Sequence, residues 1–124
     1  MDEPASPDPA AAREVFYDGG CPLCRAEISA YRRMQGAERI AFRDASAGEA
    51  PPEITPARAL ARFHVRRMDG RLVSGFRAFL AVWRVSPRLA PLARALDRAP
   101  FRWIGEAAYR LFLPMRRLWR GTPR

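Results

Sequence analysis

The chain has 124 residues, with 22 basic side chains, all arginine, against 13 carboxylates, a net charge of +9, and 48% hydrophobic and 10% aromatic residues. That length suits one domain and is short for two, and the apolar share excludes a chain too polar to fold. Arginines interrupt every apolar stretch of the second half, so a membrane-spanning helix is not expected, and two cysteines three residues apart cannot build the disulfide framework of small secreted domains.

Met1 to Ala12 is acidic and rich in proline and alanine, without the positive and apolar regions of a secretory signal. Residues 1–12 read as a disordered tail, and the expected location is cytoplasmic, at most peripheral to a membrane. Glu14 to Tyr17 is a short β-prone run that breaks at Asp18, Gly19 and Gly20. Pro22 suits a first helical turn, Ala26, Ile28, Ala30 and Tyr31 continue it, and Gly36 ends it. Arg39 to Arg43 alternates charged and apolar residues, with Ile40 and Phe42 on one face, and completes a β-α-β unit. After a loop with Gly48, Pro51, Pro52 and Pro56 and a short linking helix, Arg62 to Arg67 alternates again, Phe63 and Val65 on one face. His64, the only histidine, points the other way beside Arg62 and Arg66 and is expected in solvent. Asp69 and Gly70 suit a two-residue type I′ turn into Leu72 and Val73, and Phe76, Phe79, Leu80 and Trp83 recur at helical spacing.

The order β-α-β, short helix, β-β-α is that of an α/β thioredoxin-like three-layer sandwich, expected over residues 13–85. Residues 86–124 read as a helical extension packed on that core. Ser86 and Pro87 look like a cap and first-turn proline before Leu89, Leu92, Ala93 and Leu96, and Pro100 separates a second helix. There Ile104, Ala108, Leu111, Met115 and Leu118 form a stripe expected to cover the sheet or the preceding helices, while Pro114 should kink or break the helix. Residues 1–57 carry 10 acids and 6 arginines, and residues 58–124 carry 3 acids and 16 arginines. The basic half suits an acidic partner or an anionic membrane surface, the latter favoured by Trp103, Trp119, Arg116, Arg117, Arg120 and Arg124; nucleic acid is not the expected partner, and a plain solvated surface is the alternative.

Cys21 and Cys24 carry the chemistry. Three apart at a helix start, they share one side of the first turn, where a disulfide needs α-carbons within roughly 4.4–6.8 Å. Reversible closure with a protein or small-molecule thiol or disulfide substrate is the expected reaction. Cys21 at the helix N-terminus, with Arg25 one turn on, is the expected nucleophile. Cys24 heads the stripe Cys24, Ile28, Tyr31, so it is expected to face inward and resolve the mixed disulfide. Asp18 either holds the glycine turn through side chain to backbone hydrogen bonds or accepts and returns a proton during exchange. A redox-sensing or partner-binding module without turnover is one alternative. A metal-binding module is another, and it needs a dimer, because a closed zinc site takes four ligands and one chain supplies two thiolates. Neither metal nor cofactor is expected; haem-attachment, Walker and dinucleotide motifs are missing from the sequence.

Tyr17, Asp18, Gly19, Gly20, Cys21, Pro22, Leu23 and Cys24 resemble the Tyr-Asp-Gly-x-Cys-Pro-Leu-Cys signature of the DCC family of thiol-disulfide oxidoreductases, named for its Asp-x-x-Cys-x-x-Cys motif. Phe63 to Val65, Asp69 to Arg71, Gly75 to Trp83 and Tyr109 to Leu111 are similar to later parts of that family, so the resemblance spans residues 14–117. It implies a thioredoxin-like fold and a site of Cys21, Cys24 and Asp18, supported by Tyr17, Gly19, Gly20, Pro22 and Arg25. One departure from the wider thioredoxin pattern is the missing proline before the third strand, where Ala59, Leu60 and Ala61 precede Arg62. Its loss implies weak general disulfide reductase activity and leaves the cysteines open to metal.

Overall fold

The computed structural model describes the backbone of residues 8–119 and the side chains of residues 8–115. Strands β1 (Ala12–Tyr17), β2 (Ala41–Asp44), β3 (His64–Arg67) and β4 (Leu72–Ser74) form one sheet in the order β2-β1-β3-β4. β1 and β2 are parallel, so the chain must cross over between them, and helix α1 (Pro22–Arg32) makes that crossing. β3 pairs antiparallel with both β1 and β4.

Alternation along β1 and β3 sorts the two faces of the sheet. Val15 lies opposite Val65, and both are buried in a cluster with Ile28 of α1 and Ala78, Ala81 and Val82 of helix α3 (Phe76–Trp83). Burial of each such aliphatic side chain contributes about 1.5–3 kcal/mol. Phe16, on the opposite face, is equally buried, and helix α2 (Pro56–Ala61) covers that side with Ala59. Thr55 caps α2 by accepting the Arg58 N–H at 3.2 Å, and Pro56 occupies its first turn. The result is a mixed α/β sandwich of the thioredoxin-like kind, extended by helices α4 (Ala90–Leu96) and α5 (Phe101–Trp119).

Tyr109 fastens α5 to this core. Its hydroxyl accepts the buried Phe63 N–H at 2.6 Å, and its ring meets Phe79 edge-on, 5.6 Å between centroids. Phe79 in turn stacks on Phe63 at 4.7 Å. The Phe76 ring lies directly on Gly105, where any β-carbon would collide with it.

Several expectations are corrected. The apolar stripe of α5 is not the buried one: Ile104, Leu111 and Met115 are 63, 76 and 50% exposed, while Gly105, Tyr109, Phe112 and Leu113 turn inward. From Phe101 to Met115 only Arg102, Glu106, Tyr109 and Arg110 are polar, so apolar spacing alone selects no face; the Tyr109 hydrogen bond and the Phe76–Gly105 contact do. Helix α5 also continues through Pro114 to Trp119 without breaking. Arg120 and Arg124, and the side chains of Arg116, Arg117, Leu118 and Trp119, lie outside the described residues.

The hairpin turn is not type I′, because Asp69 has a negative φ and only Gly70 is left-handed, at +88°. Gly70 N–H donates to Arg67 O at 3.0 Å and Arg67 N–H to Arg71 O at 2.9 Å, a three-residue loop with a type I turn followed by a left-handed glycine. Ser86 does not cap α4 with its side chain; its carbonyl accepts from Leu89 and Ala90, and the helix starts at Ala90. Residues 8–12, read from the sequence as part of a disordered tail, are structured: Ala12 opens β1, Ala11 and Ala12 are buried, and Asp8 pairs with Arg84 at 2.8 Å, while residues 1–7 lie outside the described residues.

His64 is half-buried instead of exposed, because α2 lies over its face of the sheet. Its Nδ1 contacts Arg62 O at 2.9 Å, and burial, with the nearby arginines, pushes its pKa below the ordinary histidine value. Arg66 on the same face is buried as well, held by Glu14 at 3.3 Å and by both oxygens of Glu53. The Arg66 hydrogen bonds bring the Glu53 carboxyl down to about 2.

Candidate functional site

The end of β1 delivers the chain into a tight turn that places both cysteines on the first turn of α1. Asp18 is buried, and its Oδ1 accepts the Gly20 N–H at 2.9 Å while its carbonyl accepts the Cys21 N–H at 3.1 Å. Of its two expected roles, this geometry displays the turn-holding one. Gly19 N–H donates to Asp44 Oδ1 at 2.9 Å, and the Asp44 carboxylate packs so closely that a side chain at position 19 would overlap it. Burial favours a protonated Asp44, but its bonds from Ser46 and Gly19 outweigh that and hold it below the usual carboxylate range.

Asp44 thus joins the site from the end of β2, 25 residues from Gly19. Sequence reading missed it, since the spacing of two parallel neighbours along the chain carries no signal. The pairing of Tyr17 with Asp44 at the sheet edge is what brings it there. Arg25 Nη1 donates to Gly19 O at 2.7 Å, so this arginine ties α1 back to the turn. Tyr17 is half-buried against the core, and Pro22 takes the first helical position with its ring exposed.

Cys21 is the N-cap of α1, and its Sγ receives the Cys24 N–H at 3.3 Å. A helix-end donor aimed at sulfur makes its strongest contact with a thiolate. The two thiols differ in access, and in the opposite sense to the expectation: Cys21 is buried and Cys24 is half-exposed. The capping bond curls the Cys21 sulfur under its own helix, while residue 24 lies beside the exposed Leu23 and Arg25. Both cysteines are free thiols. Two turns past Cys24, Tyr31 OH donates to Glu27 Oε2 at 2.7 Å, and burial together with that carboxylate pushes the phenol pKa up, keeping it a donor.

An apolar groove of about 640 Å³ opens next to the motif, between Leu23 and Ala26 of α1, Phe76 and Phe79 of α3, and Gly105 and Phe112 of α5. No cis peptide precedes β3 among the described residues; the chain enters that strand through Arg62 and Phe63. Among the described residues, no three His, Cys, Asp or Glu side chains converge as metal ligands. No helix among them is long and apolar enough to cross a membrane.

The model of a family described as DCC1-like thiol-disulfide oxidoreductase covers residues 15–122, a span that takes in the cysteine motif and all of α5. No curated protein and no solved structure matches the chain.

Proposed function

Because the chain belongs to the DCC1-like thiol-disulfide oxidoreductase family, we propose that Cys21 and Cys24 are its working redox pair, exchanging two electrons with a thiol or disulfide substrate. The observation that supports this reading is the first turn of α1, where the backbone Cys24 N–H reaches Cys21 Sγ at 3.3 Å, so that both cysteines share one helix turn. In the reducing direction, the Cys21 thiolate attacks one sulfur of the substrate disulfide, the substrate S–S bond breaks, and its first thiolate leaves and takes a proton. Cys24 then gives up its proton and attacks the Cys21 sulfur. The second substrate thiolate leaves, and the pair is left as a disulfide.

Charge and access point to different sulfurs. Cys21 is fully buried in this arrangement, and exposing its sulfur costs at least the Cys24 N–H bond, about 0.5–1.5 kcal/mol. The helix-end N–H on its sulfur favours the Cys21 thiolate, so Cys21 is the entry thiol, Asp18, Gly19 and Gly20 position it, and Arg25 fastens the turn.

Trapping tests the assignment. Reduced Cys24→Ser, mixed with a small aromatic disulfide, should accumulate a mixed disulfide at Cys21, while Cys21→Ser should react slowly. Accumulation on Cys24 in Cys21→Ser at the wild-type rate makes the exposed sulfur the entry point and reverses the roles.

A further inference from the structure

Helix α5 leaves an apolar ridge uncovered beside a nest of arginines. Trp103, Ile104, Leu111 and Met115 are 65, 63, 76 and 50% exposed. Single exposed apolar side chains are ordinary, but a run of them along one helix is not. Trp103 also walls a cavity of about 450 Å³ lined by Arg62, Arg77, Arg102 and Arg110. Glu106 is the only carboxylate in that lining, and it is occupied: Oε2 takes Arg62 at 2.6 Å and Arg110 at 3.1 Å, and Oε1 takes the Phe76 N–H at 3.1 Å. Arg77 and Arg102 have no carboxylate partner among the described residues. Arg62 Nε is closed off from water and has no acceptor among the described residues.

We infer that this side of α5 docks on an anionic lipid bilayer, with the apolar ridge in the interfacial zone and a lipid phosphate among the four arginines. The charge selects the occupant. A second copy of the chain brings another +9 to the contact, and a neutral apolar partner leaves the arginines without counter-charge. An anionic bilayer satisfies ridge and cavity together, since its surface is negative and its interior apolar. Trp103, at the boundary between the two, has the amphipathic ring suited to the headgroup level. As no described helix is long and apolar enough to cross, α5 lies along the surface. Leu23, between the two cysteines, shares its groove with Gly105 and Ala108, so docking brings the cysteine motif to the edge of the lipid.

Cosedimentation of the full chain with vesicles tests this inference. Vesicles containing roughly one third phosphatidylglycerol should retain the protein and pure phosphatidylcholine should not, with retention falling at least tenfold as salt rises from about 0.05 to 0.5 M. Arg77→Ala with Arg102→Ala should weaken retention about 30-fold, at roughly fivefold for each arginine near the surface. Ile104→Ser with Leu111→Ser should weaken it about tenfold or more, by removing the apolar insertion. All four side chains lie outside the core cluster, so melting temperatures should hold; if a pair melts lower, Arg102→Ala and Leu111→Ser alone give the same readout.

The inference is overturned if anionic vesicles fail to retain the chain. It is equally overturned if the serine variants bind as tightly as wild type, which is what general attraction to an arginine-rich surface predicts. Glycerol phosphate binding as tightly as the vesicles makes a soluble phosphate the ligand, and a dimer dissolved by the serine variants makes a second copy the occupant.

Discussion

Replacing Asp18 separates the two roles open to it. Asp18→Ala removes the oxygen that accepts the Gly20 N–H at 2.9 Å and leaves that amide beside a buried position without its partner. Leaving a buried donor unsatisfied costs about 1–3 kcal/mol, which at roughly 3–5 °C per kcal/mol for a chain of this size lowers the melting temperature by about 3–15 °C. The turn also carries the carbonyl that accepts the Cys21 N–H at 3.1 Å, so loosening it displaces the entry sulfur and slows exchange by about tenfold or more. Asp18→Asn keeps a carbonyl oxygen in the same place and removes the carboxylate. If Asp18 acts by holding the turn, the asparagine variant exchanges within about threefold of wild type. The assay is the second-order reaction of reduced protein with a small aromatic disulfide, followed by absorbance of the released thiol, alongside a thermal melt. An asparagine variant that melts like wild type yet reacts as slowly as the alanine variant refutes the positioning account and makes Asp18 a proton carrier.

Three further outcomes follow from the packing and the charges. Tyr109→Phe deprives the buried Phe63 N–H of its 2.6 Å acceptor and should destabilise the fold by about 1–3 kcal/mol in urea at unchanged m, while a change under about 0.5 kcal/mol contradicts the anchoring role given to that hydroxyl. Gly105→Ala drives a β-carbon into the Phe76 ring and should cost about 1–3 kcal/mol, with Phe76→Leu in the same chain recovering part of the loss. Stability should fall on acidification in two stages. His64 has a folded pKa below its unfolded value, so the unfolded chain takes up a proton first and stability drops as pH falls below about 6.5. Burial favours protonation of Glu14 and Glu106, yet their arginine partners hold both below the carboxylate range, so the stability they contribute above the unfolded carboxylate pKa is lost as pH falls through their folded values. His64→Gln should flatten the first stage and spare the second; an unchanged slope between pH 7 and 5, as measured by urea unfolding at each pH, removes histidine from the account.

The part of the molecule that the sequence announced is the part built from local rules. Asp18, Gly19 and Gly20 between a β-prone run and Pro22 specify strand, turn and helix within ten residues, and β1, α1 and the cysteine pair follow from them. Alternation of Phe63 and Val65 likewise marked β3 and its buried face. What escaped depended on contacts between distant residues. His64 and Arg66 look like solvent positions until α2 is laid over them, and the Arg66 pairing with Glu14 and Glu53 cannot be seen in a strand read alone. Asp44 reaches Gly19 only through parallel pairing. Helix α5 is apolar around most of its circumference, so its orientation is set by one hydroxyl and one glycine rather than by its periodicity. The access of the two cysteines reversed for a different reason: a capping sulfur bends towards its own helix amides, a rotamer preference that residue spacing does not encode.

The account rests on reversible closure of Cys21 and Cys24, and the most direct test is their reduction potential. Purified metal-free chain is equilibrated against graded ratios of reduced and oxidised dithiothreitol or glutathione, and free thiols are counted at each ratio. A reversible two-electron transition between about −270 and −120 mV, abolished in Cys21→Ser and in Cys24→Ser, is the predicted result. A pair that stays as two thiols under every ratio, or that bridges only between molecules, contradicts the assignment of a redox centre to the first turn of α1.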